Sequence, residues 1–325
     1  MKPKVFIARP VPPEVESYIA QHCRYSKWAH HDPISHEELV KELADAEGLL
    51  TAGGRVSADL LNHAPRLRAV STMSVGYNNF DLDAMKARNI IGTNTPGVLD
   101  DTVADLIFAL MLAAARRVTE LDSYVKQGQW KKGEGDRLFG VDVHHKKLGI
   151  IGMGRIGEAV AKRARFGFGM EIMYYNRHRK PEAERKLEAE YRELKDLLRH
   201  SDFIVLMTPL TPETRHMIGQ AEFALMKSTA VFVNASRGQT VDEEALTRAL
   251  QERTIFAAGL DVFEREPVQP SNPLLSLPNV VTLPHIGSAT KQTRDEMAMV
   301  AAENLVAALQ GQTPPHVIPE LRQDS

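Results

Sequence analysis

The chain of 325 residues contains one cysteine, Cys23, so an intrachain disulfide and a thiolate metal cluster are both excluded. Long apolar runs are missing too. The longest, Leu106–Ala115, is half of the roughly 20 residues a membrane-crossing helix needs. The apolar stretch in Met1–Ala8 is too short for a signal peptide. Neither sign of charge prevails: 40 Lys and Arg face 42 Asp and Glu, a net charge of −2. Such a chain has no global attraction to nucleic acid or anionic lipid, and neither is expected as a partner. Low-complexity tracts, charge blocks and solenoid-length repeats are absent. These absences point to a reducing, cytoplasmic setting. What is present, 43% apolar and 25% charged residues, excludes a disordered chain or a fibrous rod. The length suggests two domains.

Short apolar strands alternate with helical patterns from the start. Lys4–Ala8, Gly48–Thr51, Leu67–Ser71 and Ile90–Gly92 read as strands. Pro13–His22, Ser35–Ala46, Val56–His63 and Leu82–Arg88 read as helices. Ser35 with Glu38 forms a capping-box pattern. The alternation predicts a small parallel sheet covered on both faces. A long helix, roughly Asp101 to Gln127, follows. Its stretch Asp105–Arg117 is apolar nearly all round, a pattern that burial between two domains or between two subunits would satisfy. Gly128–Lys147 reads as an irregular polar arm.

A second alternation then begins, with strands predicted at Leu148–Ile151, Met170–Tyr175, Phe203–Met207, Ala230–Ala235, Phe256–Val262 and Val280–Leu283. Helices are expected at Arg155–Arg165, Leu194–His200, Ala221–Leu225 and Asp242–Glu252. Six strands match the count of a doubly wound, Rossmann-type dinucleotide fold. A last helix, Ala289–Gln310, leads into a Pro-rich tail and is long enough to cross back onto the first domain.

Gly152-Met153-Gly154-Arg155-Ile156-Gly157 has the dinucleotide pattern, and its context gives it weight. It directly follows a predicted strand and opens a predicted helix. Gly152 would permit the tight turn, Gly154 would let backbone approach a pyrophosphate, and Gly157 would allow helix to pack on strand. The helix N-terminus would then offer N–H groups and a positive dipole end to phosphate. An NAD site wants a carboxylate about 20 residues further on. Here the chain instead reads Asn176-Arg177-His178-Arg179-Lys180. That cluster suits a 2′-phosphate, so NADPH is expected over NADH. A solvated basic loop is the competing reading.

Ligands of open parallel sheets bind at the carboxyl ends of strands. Thr208-Pro209-Leu210, Ser236-Arg237-Gly238, Glu264-Arg265-Glu266 and Pro284-His285-Ile286-Gly287 all stand there. A cation, a carboxylate and a histidine thus fall on one side of one sheet.

These motifs, in this order, together with Ser74–Asp81, resemble the D-isomer-specific 2-hydroxyacid dehydrogenases over essentially the whole chain. Asp142–Gly152 and the basic Asn176–Arg179 are most similar to the bacterial glyoxylate/hydroxypyruvate (2-ketogluconate) reductases within that family. The resemblance implies a cofactor domain at 100–287 inserted into a smaller flavodoxin-like substrate domain formed by 1–99 and 288–325. It implies that Arg237 grips the substrate carboxylate and carbonyl, that His285 donates a proton, and that Glu266 orients the imidazole. Val75 and Gly76 N–H groups would bind the carboxylate as a cleft closes. Ala235 and Asp261 would lie near the nicotinamide, with Thr102, Thr208, Pro209 and Gly287 along the cofactor. A structural hydrogen-bond acceptor for Asp261 and a helix N-cap for Thr102 remain equal readings. The helix and arm over 100–147 resemble the family's dimerisation region, so a homodimer is expected. Leu138-Phe139 sits where relatives extend a loop towards the neighbouring subunit.

No metal is expected: the adjacent His144-His145 and the scattered His22, His30, His31 and His36 lack ligand spacing. Trp28 and Trp130 read as packing or interface residues. The function implied is NADPH-dependent reduction of a 2-keto acid, such as glyoxylate, hydroxypyruvate or 2-ketogluconate. Another dehydrogenase of the family (D-lactate, phosphoglycerate, formate or phosphite type) and a non-catalytic dinucleotide-sensing protein are the alternatives.

Overall fold

A computed structural model describes residues 2–322. The chain divides into two compact units, one formed by Met1–Leu99 with Ala289–Ser325 and the other by Asp100–Ser288. The central unit is therefore an insertion in the sequence of the outer one.

The outer unit runs β1 (Lys4–Ile7), α1 (Pro13–His22), β2 (Arg24–Lys27), α2 (His36–Leu43) and β3 (Gly48–Thr51). It continues with α3 (Ala58–Asn62), β4 (Ala69–Thr72), α4 (Leu82–Ala87) and β5 (Ile91–Thr93). Its five strands lie in the order β2-β1-β3-β4-β5, every pair parallel. That is the flavodoxin-like order. Strand β2 is the one the sequence pattern does not predict. Arg24-Tyr25-Ser26-Lys27 sits on the sheet edge with no buried position, so it carries no apolar signal. Helix starts are set by side chains: Ser35, Ser57 and Asp81 each accept from the N–H three residues on.

The central unit contains α5 (Asp100–Ala115), α6 (Val118–Lys126), β6 (Lys147–Ile151), α7 (Arg155–Phe168), β7 (Glu171–Tyr175), α8 (Pro181–Leu187) and β8 (Ala189–Tyr191). Then come α9 (Leu194–His200), β9 (Phe203–Leu206), α10 (Gln220–Phe223), β10 (Val231–Asn234), α11 (Glu243–Gln251), β11 (Ala257–Leu260) and β12 (Val280–Thr282). The sheet has seven strands in the order β12-β11-β10-β9-β6-β7-β8, all parallel. This is the doubly wound Rossmann-type order with a seventh strand added beyond the sixth. The sequence count of six omits β8, a three-residue edge strand with one buried position. Helix α8 also escapes the pattern, being short and highly charged.

Two further predictions need correction. The long helix through Gln127 is two helices, broken at Arg117, whose backbone is left-handed at φ 56°. The apolar face of α5 does not wait for a second domain or subunit. Val103, Ile107, Phe108, Leu110 and Met111 are buried, and α5 packs on α7, β10 and β11 of its own unit. Phe108 stacks on Phe168 with centroids 5.0 Å apart. The opposite sheet face is covered by α9, α10 and α11, through Leu197, Phe223, Leu246 and Leu250 against Ile204, Phe232 and Leu260.

The last helix, α12 (Lys291–Leu309), belongs to the outer unit, where it packs on α1, β3 and β4. Ala298, Ala301, Ala302 and Leu305 form one core with Val5, Ile7 and Ile19. No helix of the described residues is long and apolar enough to cross a membrane. Leu305 is fully buried in this core. Leu305→Ala should therefore cost about 2–5 kcal/mol, read as a lower denaturant midpoint with an unchanged slope.

Candidate functional site

The glycine turn is built as the sequence predicts. Strand β6 ends at Ile151, Gly152 adopts φ 103°, and Gly154 caps α7. A Cβ on Gly152 would lie 2.7 Å from the Met207 carbonyl carbon, so only glycine fits between β6 and the end of β9. A Cβ on Gly157 would meet the Gly152 oxygen at 2.6 Å. Gly154, by contrast, faces open space. The turn is braced from β7: the Asn176 side chain accepts from Met153 N at 2.7 Å and donates to Met153 O at 3.2 Å. An open backbone cradle at a helix N-terminus is the geometry a pyrophosphate requires, so the residues present fit a dinucleotide. Arg155, the first residue of α7, points a largely exposed side chain to within 3.9 Å of Asp100. Ile156 is partly buried.

The basic cluster is less uniform than its sequence suggests. Arg179 is committed to Glu184, with bonds of 3.0 and 2.7 Å, and lies 5.7 Å from the Tyr191 ring centre. That ion pair lies at the surface, with the Arg179 side chain exposed. Arg177 is exposed. Its charge reaches Glu213, whose carboxyl is held low chiefly by the Thr211 hydroxyl, with Arg177 contributing less.

At the ends of β10, β11 and β12 the remaining residues converge. Arg237 follows β10 and is partly buried, and its guanidinium donates to Ser236 O at 2.6 Å. Burial pushes it below the ordinary arginine value, and the charge of Glu266 opposes that. The loop is shaped by Asn234, which is buried; its oxygen accepts from Ser236 N and Oγ, and its amide donates to Arg237 O. Thr240 donates to the same carbonyl at 2.6 Å. Next to Arg237, Gly238 lies directly under the backbone after β11. A Cβ there would sit 1.8 Å from the Phe263 carbonyl carbon.

The Phe263–Glu266 loop is held by several groups. Glu264 N donates to Glu243, Gln239 donates to Glu264 O, and His216 meets the Glu264 carboxylate at 2.9 Å. Glu266 accepts from Phe263 N at 3.0 Å and contacts His285 Nδ1 at 2.7 Å. Burial acts to raise the Glu266 carboxyl. The His285 hydrogen bond, the Phe263 N–H and the charges of His285 and Arg237 outweigh it and hold the carboxyl below its usual range.

His285 has left-handed backbone, φ 53°, which costs a non-glycine residue about 1 kcal/mol. Asp261 holds it there. The Asp261 carbonyl accepts from His285 N at 2.9 Å, and its carboxylate accepts from Ile286 N at 2.7 Å and Gly287 N at 2.8 Å. Asp261 is fully buried, and burial pushes its carboxyl up despite those two donors. The acceptor reading of Asp261 thus has a concrete geometry. Gly287 is buried between Asp261 and Val103. Ala235 is partly buried at the end of β10. Thr208 donates to the Met217 sulfur at 3.5 Å, and Pro209 O accepts from the Thr214 hydroxyl. Thr102 lies inside the first turn of α5, so it is not the helix N-cap.

In the outer unit, Val75 and Gly76 follow β4 and are partly buried. Their carbonyls are tied down, Val75 O by the Asn94 amide at 2.8 Å and Gly76 O by the Ser74 hydroxyl at 2.7 Å. Neither N–H donates to another group among the described residues.

A model of the D-isomer specific 2-hydroxyacid dehydrogenase NAD-binding domain matches residues 108–287. This is more than half of the chain. The chain belongs to the D-isomer specific 2-hydroxyacid dehydrogenase family. A glyoxylate/hydroxypyruvate reductase B from Klebsiella pneumoniae is 51% identical over 311 residues, which is 96% of each chain. Among solved structures, a protein from Thermus thermophilus is 40% identical with TM-score 0.89, covering 97% of this chain and 99% of its own. An NADPH-dependent glyoxylate/hydroxypyruvate reductase from Sinorhizobium meliloti, solved with NADP and malonate, is 30% identical with TM-score 0.87, and both chains are covered fully.

Within this family member, sequence motifs point to Arg237, Glu266 and His285 but pass over Asn234, Thr240, Glu243 and His216, which shape the loops. An Asn closing a buried strand before Ser is a turn signal. The other three carry no local signal.

The depressed Glu266 carboxyl has a consequence for stability. A carboxyl lowered by folding stabilises the protein above its unfolded value of about 4.3. That contribution is lost as pH falls through the folded value. Acid titration of unfolding should therefore show a shallower loss below about pH 4.5 in Glu266→Gln than in the native protein. Parallel curves would contradict this.

Proposed function

We propose that this protein reduces 2-keto acids to D-2-hydroxy acids, with NADPH as the preferred hydride donor and NADH the poorer one. The substrates proposed are glyoxylate and hydroxypyruvate, with 2-ketogluconate beside them. The observation that carries the reading is the 2.7 Å contact between Glu266 and His285 Nδ1, at the strand ends that also bear Arg237. The names of the Klebsiella and Sinorhizobium relatives support the choice of substrates and of NADPH.

Each residue has a definite task in this reading. Arg237 binds the substrate carboxylate and carbonyl oxygen by charge-assisted hydrogen bonds. The Val75 and Gly76 N–H groups bind the carboxylate. Glu266 accepts from Nδ1 of His285, which fixes the ring and leaves Nε2 to carry the transferred proton. That proton goes to the carbonyl oxygen; a nicotinamide held at the glycine turn would supply the hydride. One hydride and one proton convert the carbonyl to the alcohol. Gly152, Gly154, Arg155, Ile156 and Gly157 would hold the pyrophosphate, and Arg177 the 2′-phosphate. Asn176 would act by bracing the glycine turn. Thr102, Thr208, Pro209, Ala235, Asp261 and Gly287 would line the nicotinamide half.

The domain roles follow the same reading: the central unit binds cofactor, and the outer unit contributes substrate contacts. We also propose a cytoplasmic homodimer whose interface uses α6 and the arm after it. Trp130 and Phe139 are 68% and 69% exposed there, and Val118 and Val125 of α6 are 51% and 53% exposed, so exposed apolar side chains are grouped along this stretch rather than scattered singly.

Kinetics and solution mass test these statements. Nicotinamide absorbance should fall when the protein meets NADPH and glyoxylate or hydroxypyruvate, more slowly with NADH. His285→Ala should lower kcat by about 10²–10⁴-fold without weakening NADPH binding. Arg177→Ala should raise the KM for NADPH about tenfold and leave that for NADH nearly unchanged. Cofactor binding without turnover would favour a dinucleotide-sensing protein. Light scattering at micromolar concentration should give twice the chain mass, and Phe139→Glu with Trp130→Glu should shift it towards one chain. A native monomer would refute the dimer.

A further inference from the structure

The segment after α12 has a definite place in the outer unit. His316–Leu321 runs beside β5, where Thr93 and Val317 form an antiparallel bridge and Ile318 N donates to Gly92 O at 2.9 Å. Ile318 is fully buried and Leu321 nearly so. Both pack over Gly92, where a Cβ would meet Leu321 at 2.6 Å. The segment is thus added to the sheet edge and locked by apolar anchors.

Its polar groups lead towards the Val75–Gly76 loop. Asn94 N donates to His316 O, His316 N donates to the Asn304 side chain, and the Asn304 amide donates to Asn94 O. Asn94 in turn ties down Val75 O. On the other side of the loop, the Tyr77 hydroxyl donates to Glu320, at 3.1 and 3.3 Å from its two oxygens. The two residues are 243 positions apart in sequence. Burial first, and then the charge and hydrogen bond of Glu320, push the Tyr77 phenol up to about 12. The phenol therefore stays a donor at neutral pH.

We propose that the C-terminal segment is a positioning device for the substrate-carboxylate loop, with Glu320 clasping Tyr77 so that the Val75 and Gly76 N–H groups keep their orientation. Glu320 is a positioning residue, since it acts through Tyr77. The proposal rests on the assignment of those two N–H groups to the substrate carboxylate. Because the clasp is solvent-exposed, its effect is modest in size and falls on substrate binding.

The test uses the full-length protein and its Tyr77→Phe, Glu320→Ala and Glu320→Gln variants. Tyr77→Phe and Glu320→Ala should each raise the KM for glyoxylate about three- to tenfold, with kcat within about twofold and NADPH affinity unchanged. Their combination should add nothing further, because both remove one contact. Glu320→Gln, which keeps an acceptor for the phenol, should restore the native KM. Amide hydrogen exchange over residues 74–80 should quicken in Glu320→Ala and not in Glu320→Gln. A native KM in Glu320→Ala, failure of Gln to rescue, or unchanged exchange would each overturn the proposal. If the native protein reduces no 2-keto acid, the functional reading fails, while the exchange experiment still decides whether the clasp holds the loop.

Discussion

Asp261 is the residue on which the candidate site depends most. It stands just beyond β11, fully buried, and spends its carbonyl and both carboxylate oxygens on the turn after β12. The carbonyl takes His285 N, and the carboxylate takes the next two N–H groups. A buried carboxylate without such donors would be costly. With them it becomes a rigid staple between adjacent strand ends. It offsets the left-handed backbone of His285 and so determines where the imidazole points. The contact of Glu266 with His285 presupposes that orientation.

The parallel sheet explains why these groups meet at all. In a parallel sheet every strand presents its carboxyl end at the same edge, so loops far apart in sequence become neighbours. Arg237, Glu266 and His285 follow three adjacent strands, β10, β11 and β12. The order β11-β10-β9-β6 continues the same edge to the glycine turn after β6. Gly238 tightens the arrangement further, because the Arg237 loop touches the backbone after β11 with no room for a methyl group. Charge then follows geometry. Glu266 is held ionised by its donors, and Arg237 loses solvent but keeps the field of Glu266.

The outer unit solves a different problem with the same fold type. Its Val75–Gly76 loop is fixed by its carbonyls, which leaves the two N–H groups uncommitted among the described residues. The groups that fix it come from the loop's own Ser74, from Asn94 and, through Tyr77, from the C-terminal segment. The two units therefore reach order by different means. One relies on a buried carboxylate, the other mainly on a web of amides and hydroxyls.

Much of this was written in local sequence. The strand–glycine turn–helix succession is a short-range pattern: Gly152 has a positive φ of 103°, and Gly157 is required by sterics against the Gly152 oxygen just before it. Apolar runs such as Phe203–Leu206 and Val231–Asn234 announce buried parallel strands on their own. The order Arg237, Glu266, His285 was legible because each follows such a strand. Edge strands β2 and β8 were not, since an edge has one neighbour and needs no apolar run. The break at Arg117 and the packing of α5 depend on what covers each face. So does the fate of the basic cluster: sequence supplied two arginines, and only tertiary structure decided that Arg179 answers Glu184 while Arg177 stays exposed. Local sequence specifies backbone conformation and residue chemistry, because both act over a few bonds. Partnership is decided by the fold, because an ion pair, a staple such as Asp261 or a clasp such as Tyr77–Glu320 needs two distant segments brought within about 3 Å of one another.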